Sequence, residues 1–136
     1  MMQPIYELHD DQISTLWRLY QNEWWTQGRT LEETKQCLQG SQICIGIIDG
    51  SGELCGFARV LTDYIFKAVI LDVIVLPVYR GDGLGDQLIK LILRHEKLHN
   101  VKHFELYCLP EFQAFYARHG FTTDVGNVAL MRYATT

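Results

Sequence analysis

Val69-Ile70-Leu71-Asp72-Val73-Ile74-Val75-Leu76-Pro77-Val78-Tyr79-Arg80-Gly81-Asp82-Gly83-Leu84-Gly85-Asp86-Gln87-Leu88-Ile89-Lys90-Leu91-Ile92-Leu93 is the stretch on which the reading of the chain turns. Val69 to Leu76 is apolar except for Asp72 and rich in β-branched residues, the pattern of a strand buried on both faces. Pro77 has no N–H to give a ladder and ends the strand. From Leu84 the apolar positions fall at 84, 88, 91 and 92, which is helical spacing. Between strand and helix lies Arg80-Gly81-Asp82-Gly83-Leu84-Gly85, whose alternating glycines let the backbone turn tightly and bring its N–H groups close to a ligand. The first amides of the helix have no internal partner and carry the positive end of its dipole. Strand, glycine loop and helix together make an anion site, and phosphate is its usual guest.

The loop is neither of the two commonest phosphate motifs. A P-loop needs Gly-Lys-Ser/Thr entering the helix, and here Gly85 is followed by Asp86 and Gln87. A dinucleotide fingerprint needs G-x-G-x-x-G, and here the spacing is G-x-G-x-G.

On either side of this stretch the chain reads as alternating short elements. Pro4 to Leu8 is a strand candidate. Asp10 or Asp11 caps a helix with Ile13, Leu16, Trp17, Tyr20 and Trp24 along one stripe. Thr30-Leu31-Glu32-Glu33 is a capping box for a second helix running to about Leu38 and stopped by Gly40. Ile43 to Ile48 and Leu54 to Leu61 are strands joined by the turn Asp49-Gly50-Ser51-Gly52, and a third from Lys67 to Leu76 completes an antiparallel meander. The glycine-loop helix runs from Gly83 to roughly Leu98. His103 to Leu109 follows this crossover and therefore lies parallel to the 69–76 strand. Pro110 starts a helix over Glu111 to Arg118 that Gly120 stops, and Val128 to Tyr133 closes the sheet.

Size and composition fit this picture. The 136 residues make a single domain, 1–136, with room for one real core. At 48% hydrophobic and 21% charged residues the balance is globular, and a net charge of -4 with no Lys/Arg run argues against nucleic acid or a membrane surface as partner. Neither a signal peptide nor a transmembrane helix is read. The four cysteines, Cys37, Cys44, Cys55 and Cys108, form no CxxC pair. They read as free thiols in a reducing cytoplasm, with Cys44, Cys55 and Cys108 in the core. His95, His99 and His103 fall at i, i+4, i+8 but lack a completing carboxylate or Cys, and read as a solvated face with no metal.

The order β-α-α-β-β-β-α-β-α-β, together with Arg80-x-x-Gly83-x-Gly85 after a strand ending in Leu-Pro, resembles the GNAT family of N-acetyltransferases. Phe115-Tyr116-Ala117-Arg118-His119-Gly120-Phe121 is similar to that family's F-Y-x-x-x-G-F ending. The resemblance implies an α/β (α+β) fold, a mixed, mostly antiparallel sheet flanked by helices, with a central parallel strand pair that splays apart. It implies acetyl-CoA as cosubstrate. Arg80, Gly81, Gly83, Leu84 and Gly85 would hold the pyrophosphate, and the backbone of Val75 and Leu76 would pair with the pantetheine arm. It also implies Tyr116 as the acid that protonates the departing CoA thiolate. Members of that family often carry a basic residue at the position of Asp82, and many have an Asn where this chain has Leu109-Pro110-Glu111.

Asp72 is the lone charge in an apolar strand. Burial raises a carboxyl's pKa, which makes Asp72 either the base that deprotonates the amine or a structural carboxylate. Asp63, Glu105 and a water relay are the alternatives. The acceptor reads only as a small-molecule amine or a peptide, chosen by residues 22–30, where Trp24 and Trp25 lie, and by the last hairpin. The oligomeric state is open, a homodimer included. The rival to catalysis is a non-catalytic CoA-binding or regulatory module that has kept the fold.

Overall fold

The computed structural model describes residues 1–135. Five strands form one sheet in the order β1-β2-β3-β4-β5, with β1 Gln3–Ile5, β2 Ile43–Ile48, β3 Leu54–Thr62, β4 Lys67–Val75 and β5 His103–Leu106. The first four pair antiparallel, and β5 pairs parallel to β4. This is the expected mixed sheet, and the parallel pairing follows from the helical crossover between β4 and β5.

Helices cover both faces. Helix α1 (Asp10–Gln21) buries Leu16, Leu19 and Tyr20 against Ile48, Leu54, Phe57 and Ile74. Helix α3 (Leu84–Leu93) buries Leu84, Leu88, Ile89 and Ile92 on the other face against Ile43, Ile45, Ile47, Val60, Ala68 and Ile70. Leu91, expected in that stripe, is only half-buried. Helix α2 (Leu31–Gln39) opens with the capping box read from sequence. Thr30 Oγ1 accepts from the Glu33 N–H at 3.0 Å, and Glu33 Oε1 accepts from the Thr30 N–H at 2.9 Å.

Several boundaries differ from the sequence reading. His9, not Asp10 or Asp11, is the N-cap residue of α1, and Gln12 Oε1 accepts its N–H at 3.0 Å. The helix ends at Gln21, so Trp24 leaves the apolar stripe and is 70% exposed in a turn. Helix α3 stops at Leu93 and a short 3-10 turn, Glu96–Leu98, follows, so the three histidines do not share a helix face. The 111–118 segment is a 3-10 turn, Pro110–Phe112, running into a five-residue helix α4 (Gln113–Ala117). Val128 to Tyr133 forms no strand, and β5 is left as the edge of the sheet.

β4 contains a bulge. Its register against β3 passes from Arg59↔Leu71 to Phe57↔Ile74, so Asp72 and Val73 together oppose Ala58. Asp72 takes the left-handed φ of 55°. The extra residue exchanges the faces of the strand. Ala68 and Ile70 before it join the α3 core, whereas Ile74 after it joins the α1 core. A run that reads as uniformly apolar thus serves both layers.

The Thr30 cap makes the first prediction. Thr30→Ala removes one of the two reciprocal bonds at the start of α2 and should cost about 1 kcal/mol in urea unfolding. An unchanged midpoint would show that α2 does not depend on its cap.

Candidate active site

The β4–β5 ladder runs from Lys67↔His103 to Ile70↔Leu106 and stops. β4 continues to Val75 while bending at the bulge, and β5 does not follow. A gap therefore opens between the C-terminal ends of the two parallel strands. Leu76 N–H donates to the Cys55 carbonyl at 2.8 Å, and the Leu76 carbonyl accepts from Tyr79 N–H at 2.9 Å. Both backbone groups of Leu76 are thereby used within the chain, which corrects the expectation that it offers them to a ligand. Since the backbone groups of successive residues alternate in direction along a strand, those of Val75 face the gap side instead, where its carbonyl accepts from Arg80 Nε at 3.1 Å and its N–H is left open.

The glycine loop follows. Gly81 and Gly83 have φ of 88° and 83°, which an L side chain rarely adopts. A Cβ at either would meet nothing within 4 Å, so the loop's outer side is open. Gly83 is the N-cap of α3. Among the described residues, the N–H groups of Gly81, Gly83, Leu84, Gly85 and Asp86 have no acceptor within the chain. Gly85 serves packing instead, because a Cβ there would lie 3.2 Å from the Phe115 ring.

Arg80 turns back from the loop. Its Nε donates to the Val75 carbonyl at 3.1 Å and its Nη2 to Glu23 Oε1 at 2.8 Å. The guanidinium therefore braces the end of β4 against the segment after α1. Asp82 is exposed, while Asp86 Oδ1 lies 2.6 Å from His119 Nε2 and 3.4 Å from Arg118 Nη2. That carboxylate is drawn sideways to the C-terminal side of α4.

Tyr116 lies on α4, edge-on to Phe115 at 4.9 Å and to Phe121 at 6.0 Å. The Phe115 contact with Gly85 and the His119 contact with Asp86 set α4 beside the glycine loop. Burial, reinforced by the charge of Cys108, pushes the Tyr116 phenol up to about 12. Its hydroxyl has no hydrogen-bond partner among the described residues. Cys108 is exposed just past β5, not in the core as the sequence reading had it.

Asp72 is placed on the opposite face by the bulge. Its Oδ2 accepts from Arg29 Nη1 at 2.7 Å, Arg59 Nε at 2.7 Å and the Tyr20 hydroxyl at 3.1 Å, and Oδ1 accepts from Arg29 Nη2 at 3.3 Å. Burial alone pushes this carboxyl up, but the hydrogen bonds and charges of Arg29 and Arg59 outweigh it and hold the group below the usual carboxylate range. This reverses the expected upward shift and leaves Asp72 poorly suited to accept a proton. Arg29 is itself fixed by α1, whose Trp17 Nε1 and Gln21 Nε2 donate to its carbonyl at 2.9 and 2.8 Å. Its guanidinium also lies 4.6 Å from the centroid of the Tyr20 ring.

The weaker candidates are occupied elsewhere. Asp63 Oδ1 accepts the N–H groups of Ile65, Phe66 and Lys67 in the β3–β4 turn, and Glu105 pairs with Lys67 at 2.6 Å. Trp24 and Trp25 are both exposed. A hollow of about 490 Å³ lies between Tyr6 and the outer side of α3 near Lys90, Arg94 and His95.

The chain has relatives among known proteins. Residues 39–123 match the family described as acetyltransferase (GNAT) domain. The chain belongs to the GNAT family. It is 32% identical over 121 residues to the "uncharacterized N-acetyltransferase ycf52-like" of Prochlorococcus marinus, covering 86% of this chain and 67% of that protein. It is 33% identical over 103 residues to the "uncharacterized N-acetyltransferase ycf52" of Pyropia yezoensis, covering 74% of this chain and 59% of that protein. The chain thus spans only about three fifths to two thirds of the length of these relatives. A GNAT-family crystal structure from Xanthomonas campestris pv. campestris superposes with a TM-score of 0.83 at 28% identity, over 98% of this chain and 94% of that one.

In this GNAT chain the Asp72 cluster gives a further prediction. Asp72→Asn leaves two partly buried guanidinium groups without their carboxylate and should cost about 3 kcal/mol. The native carboxyl is depressed, so its contribution is present above its unfolded value of about 3.9 and lost as pH falls through the lower folded-state value. Denaturant titrations between neutral pH and pH 3 should show the acid loss in the wild type and a flatter limb in Asp72→Asn. Equal slopes would remove this carboxyl from the acid response.

Proposed function

We propose that this protein is an acetyl-CoA-dependent N-acetyltransferase that passes the acetyl group directly to an amine in a ternary complex. The observation that carries the reading is the end of β4–β5 pairing at Ile70 and Leu106, which opens a gap beside the unpaired amides of the glycine loop. The donor set fits acetyl-CoA. Hydrogen bonds from the amides of residues 81 and 83–86 to pyrophosphate oxygens are charge-assisted, and the positive end of the α3 dipole adds to them. The Val75 N–H, whose neighbouring carbonyl is held by Arg80, donates to a carbonyl of the extended pantetheine arm and directs the thioester toward α4. Arg80 acts by bracing this edge, because its guanidinium is already bonded.

Backbone N–H at the splay polarises the thioester carbonyl. The amine nitrogen attacks the carbonyl carbon, the C–S bond breaks, and Tyr116 gives its hydroxyl proton to the leaving sulfur or hydrogen-bonds it as it departs. Water takes the proton from the amine. Asp72 is assigned a positioning role, holding the β4 bulge that shapes the gap. The acceptor is a small-molecule amine or a peptide. The names of the relatives favour catalysis over a non-catalytic CoA-binding module. The reading also makes residues 1–136 one acetyltransferase domain.

CoA at about 100 times Kd should add about 2.7 kcal/mol to stability, read as a rise in Tm. No shift would remove the cofactor assignment. Tyr116→Phe should lower kcat about 10- to 1,000-fold in thiol-release assays over a panel of amines. With the phenol at about 12, Tyr116 stays protonated through pH 10. The wild-type rate should therefore rise to a plateau as the amine deprotonates and should not fall again below pH 10. A basic limb at pH 8 to 9 that vanishes in Tyr116→Phe would contradict the assigned protonation state.

A further inference from the structure

The side chain three residues past the N-cap behaves differently in α3 than in α1 and α2. In α1 Gln12 Oε1 accepts the N–H of the cap residue His9 at 3.0 Å, and in α2 Glu33 Oε1 accepts that of Thr30 at 2.9 Å. A side-chain oxygen at this position turns back to the open amides of its own helix start. In α3, whose cap is Gly83, the position belongs to Asp86. Asp86 does not turn back. Its Oδ1 lies 2.6 Å from His119 Nε2, and the amides of residues 81 and 83–86 are left without an acceptor among the described residues.

His119 is well placed to hold this carboxylate. Its side chain is only 8% exposed, and its ring meets Phe115 at 5.5 Å, the same ring that closes on Gly85. A carboxylate oxygen can only accept, so the imidazole proton lies on Nε2 and is donated to Asp86. Arg118 Nη2 is farther off, at 3.4 Å, and its side chain is 63% exposed, so water screens it. One buried imidazole therefore keeps a negative charge away from the amides that the glycine loop presents.

We infer that His119 is a positioning residue for the cofactor: by bonding Asp86 it stops that carboxylate from capping the start of α3, and so leaves the loop amides open to the pyrophosphate. This rests on the reading of the glycine loop as the pyrophosphate site. Without the imidazole donor, Asp86 takes the part that Gln12 and Glu33 play in their own helices. An Asp side chain is one methylene shorter than Glu and returns to the nearer amides of the first turn, which are those a diphosphate needs. The carboxylate then competes with the pyrophosphate in two ways. It occupies the donors, and it repels a second anion at the same helix end. The loop thus carries its own rival anion, and α4 holds that rival aside.

Substitutions at His119 separate the bond from the packing. His119→Phe keeps a ring against Phe115 and removes the donor. His119→Asn is too short to reach Asp86 and serves where Phe is not accommodated. His119→Gln gives up the ring and keeps an N–H at a similar reach. By calorimetry, loss of the donor should weaken CoA binding about tenfold, the scale of one competing charge at a helix start. His119→Gln should retain most of the affinity. Adding Asp86→Ala to His119→Phe should restore binding, because the competing carboxylate is gone. In steady state the loss should fall on KM for acetyl-CoA more than on kcat. In the ligand-free chains, hydrogen exchange at residues 83–86 should be slower in His119→Phe than in the wild type or the double variant. Unchanged CoA affinity in both His119→Phe and His119→Asn overturns the inference. So does a double variant as weak as His119→Phe, since His119 would then act through the placement of α4 and not through Asp86. If the wild type binds no CoA, the pyrophosphate reading fails, while exchange at 83–86 still decides whether His119 keeps Asp86 off those amides.

Discussion

The Asp72 carboxylate holds β4 at the point where the strand changes direction. A non-glycine residue in a left-handed conformation inside a strand costs on the order of 1–3 kcal/mol, and survives only where its surroundings over-determine it. Here they do. Two guanidinium groups and a phenol converge on one carboxylate, and Oδ2 alone accepts three of their hydrogen bonds. Asp tolerates this backbone region better than most residues. Arg59 comes from the neighbouring strand, Tyr20 from α1 and Arg29 from the α1–α2 link, so the bulge is tied to three parts of the fold at once.

The bulge turns β4 away from β5, and a pair of parallel strands that would otherwise zip together stays open at one end. An open end of this kind leaves peptide groups unpaired, a cost that a structural sheet avoids. Here the exposed groups lie at the mouth of a loop whose own amides are also unpaired. The two costs coincide in space, and one extended anionic ligand can offset both. The buried ion cluster that braces the gap lies on the far face of the sheet, apart from the glycine loop and Tyr116.

The acidic residues beside the glycine loop are explained by where they point. Asp86 is held by His119 and Arg118 and so joins α3 to α4, while Asp82 lies in solvent. The third glycine contributes in the same direction, because its missing side chain lets Phe115 close on α3. Glycine loop and Tyr116 are therefore one mechanical unit, although they are far apart in sequence.

The resemblance to the GNAT family supplied the fold class, and composition and spacing along the chain determined the capped start of α2, the three-stranded meander, the crossover and the glycine loop. Each is a local pattern whose physical cause lies within a few residues. One longer-range signal was also present: Arg59 and Asp72 are lone charges in adjacent apolar runs of one hairpin, which is how a buried pair looks in sequence. Only the tertiary structure decided the rest. Arg29 reaches Asp72 across 43 residues from a loop with no pattern of its own. The net direction of the Asp72 shift depended on how many cations surround it. Whether Val75 or Leu76 faces the gap depended on register against β3. For residues 128–133 the local propensity favoured a strand and the structure shows none, because propensity carries no information about whether a sheet edge is there to pair with.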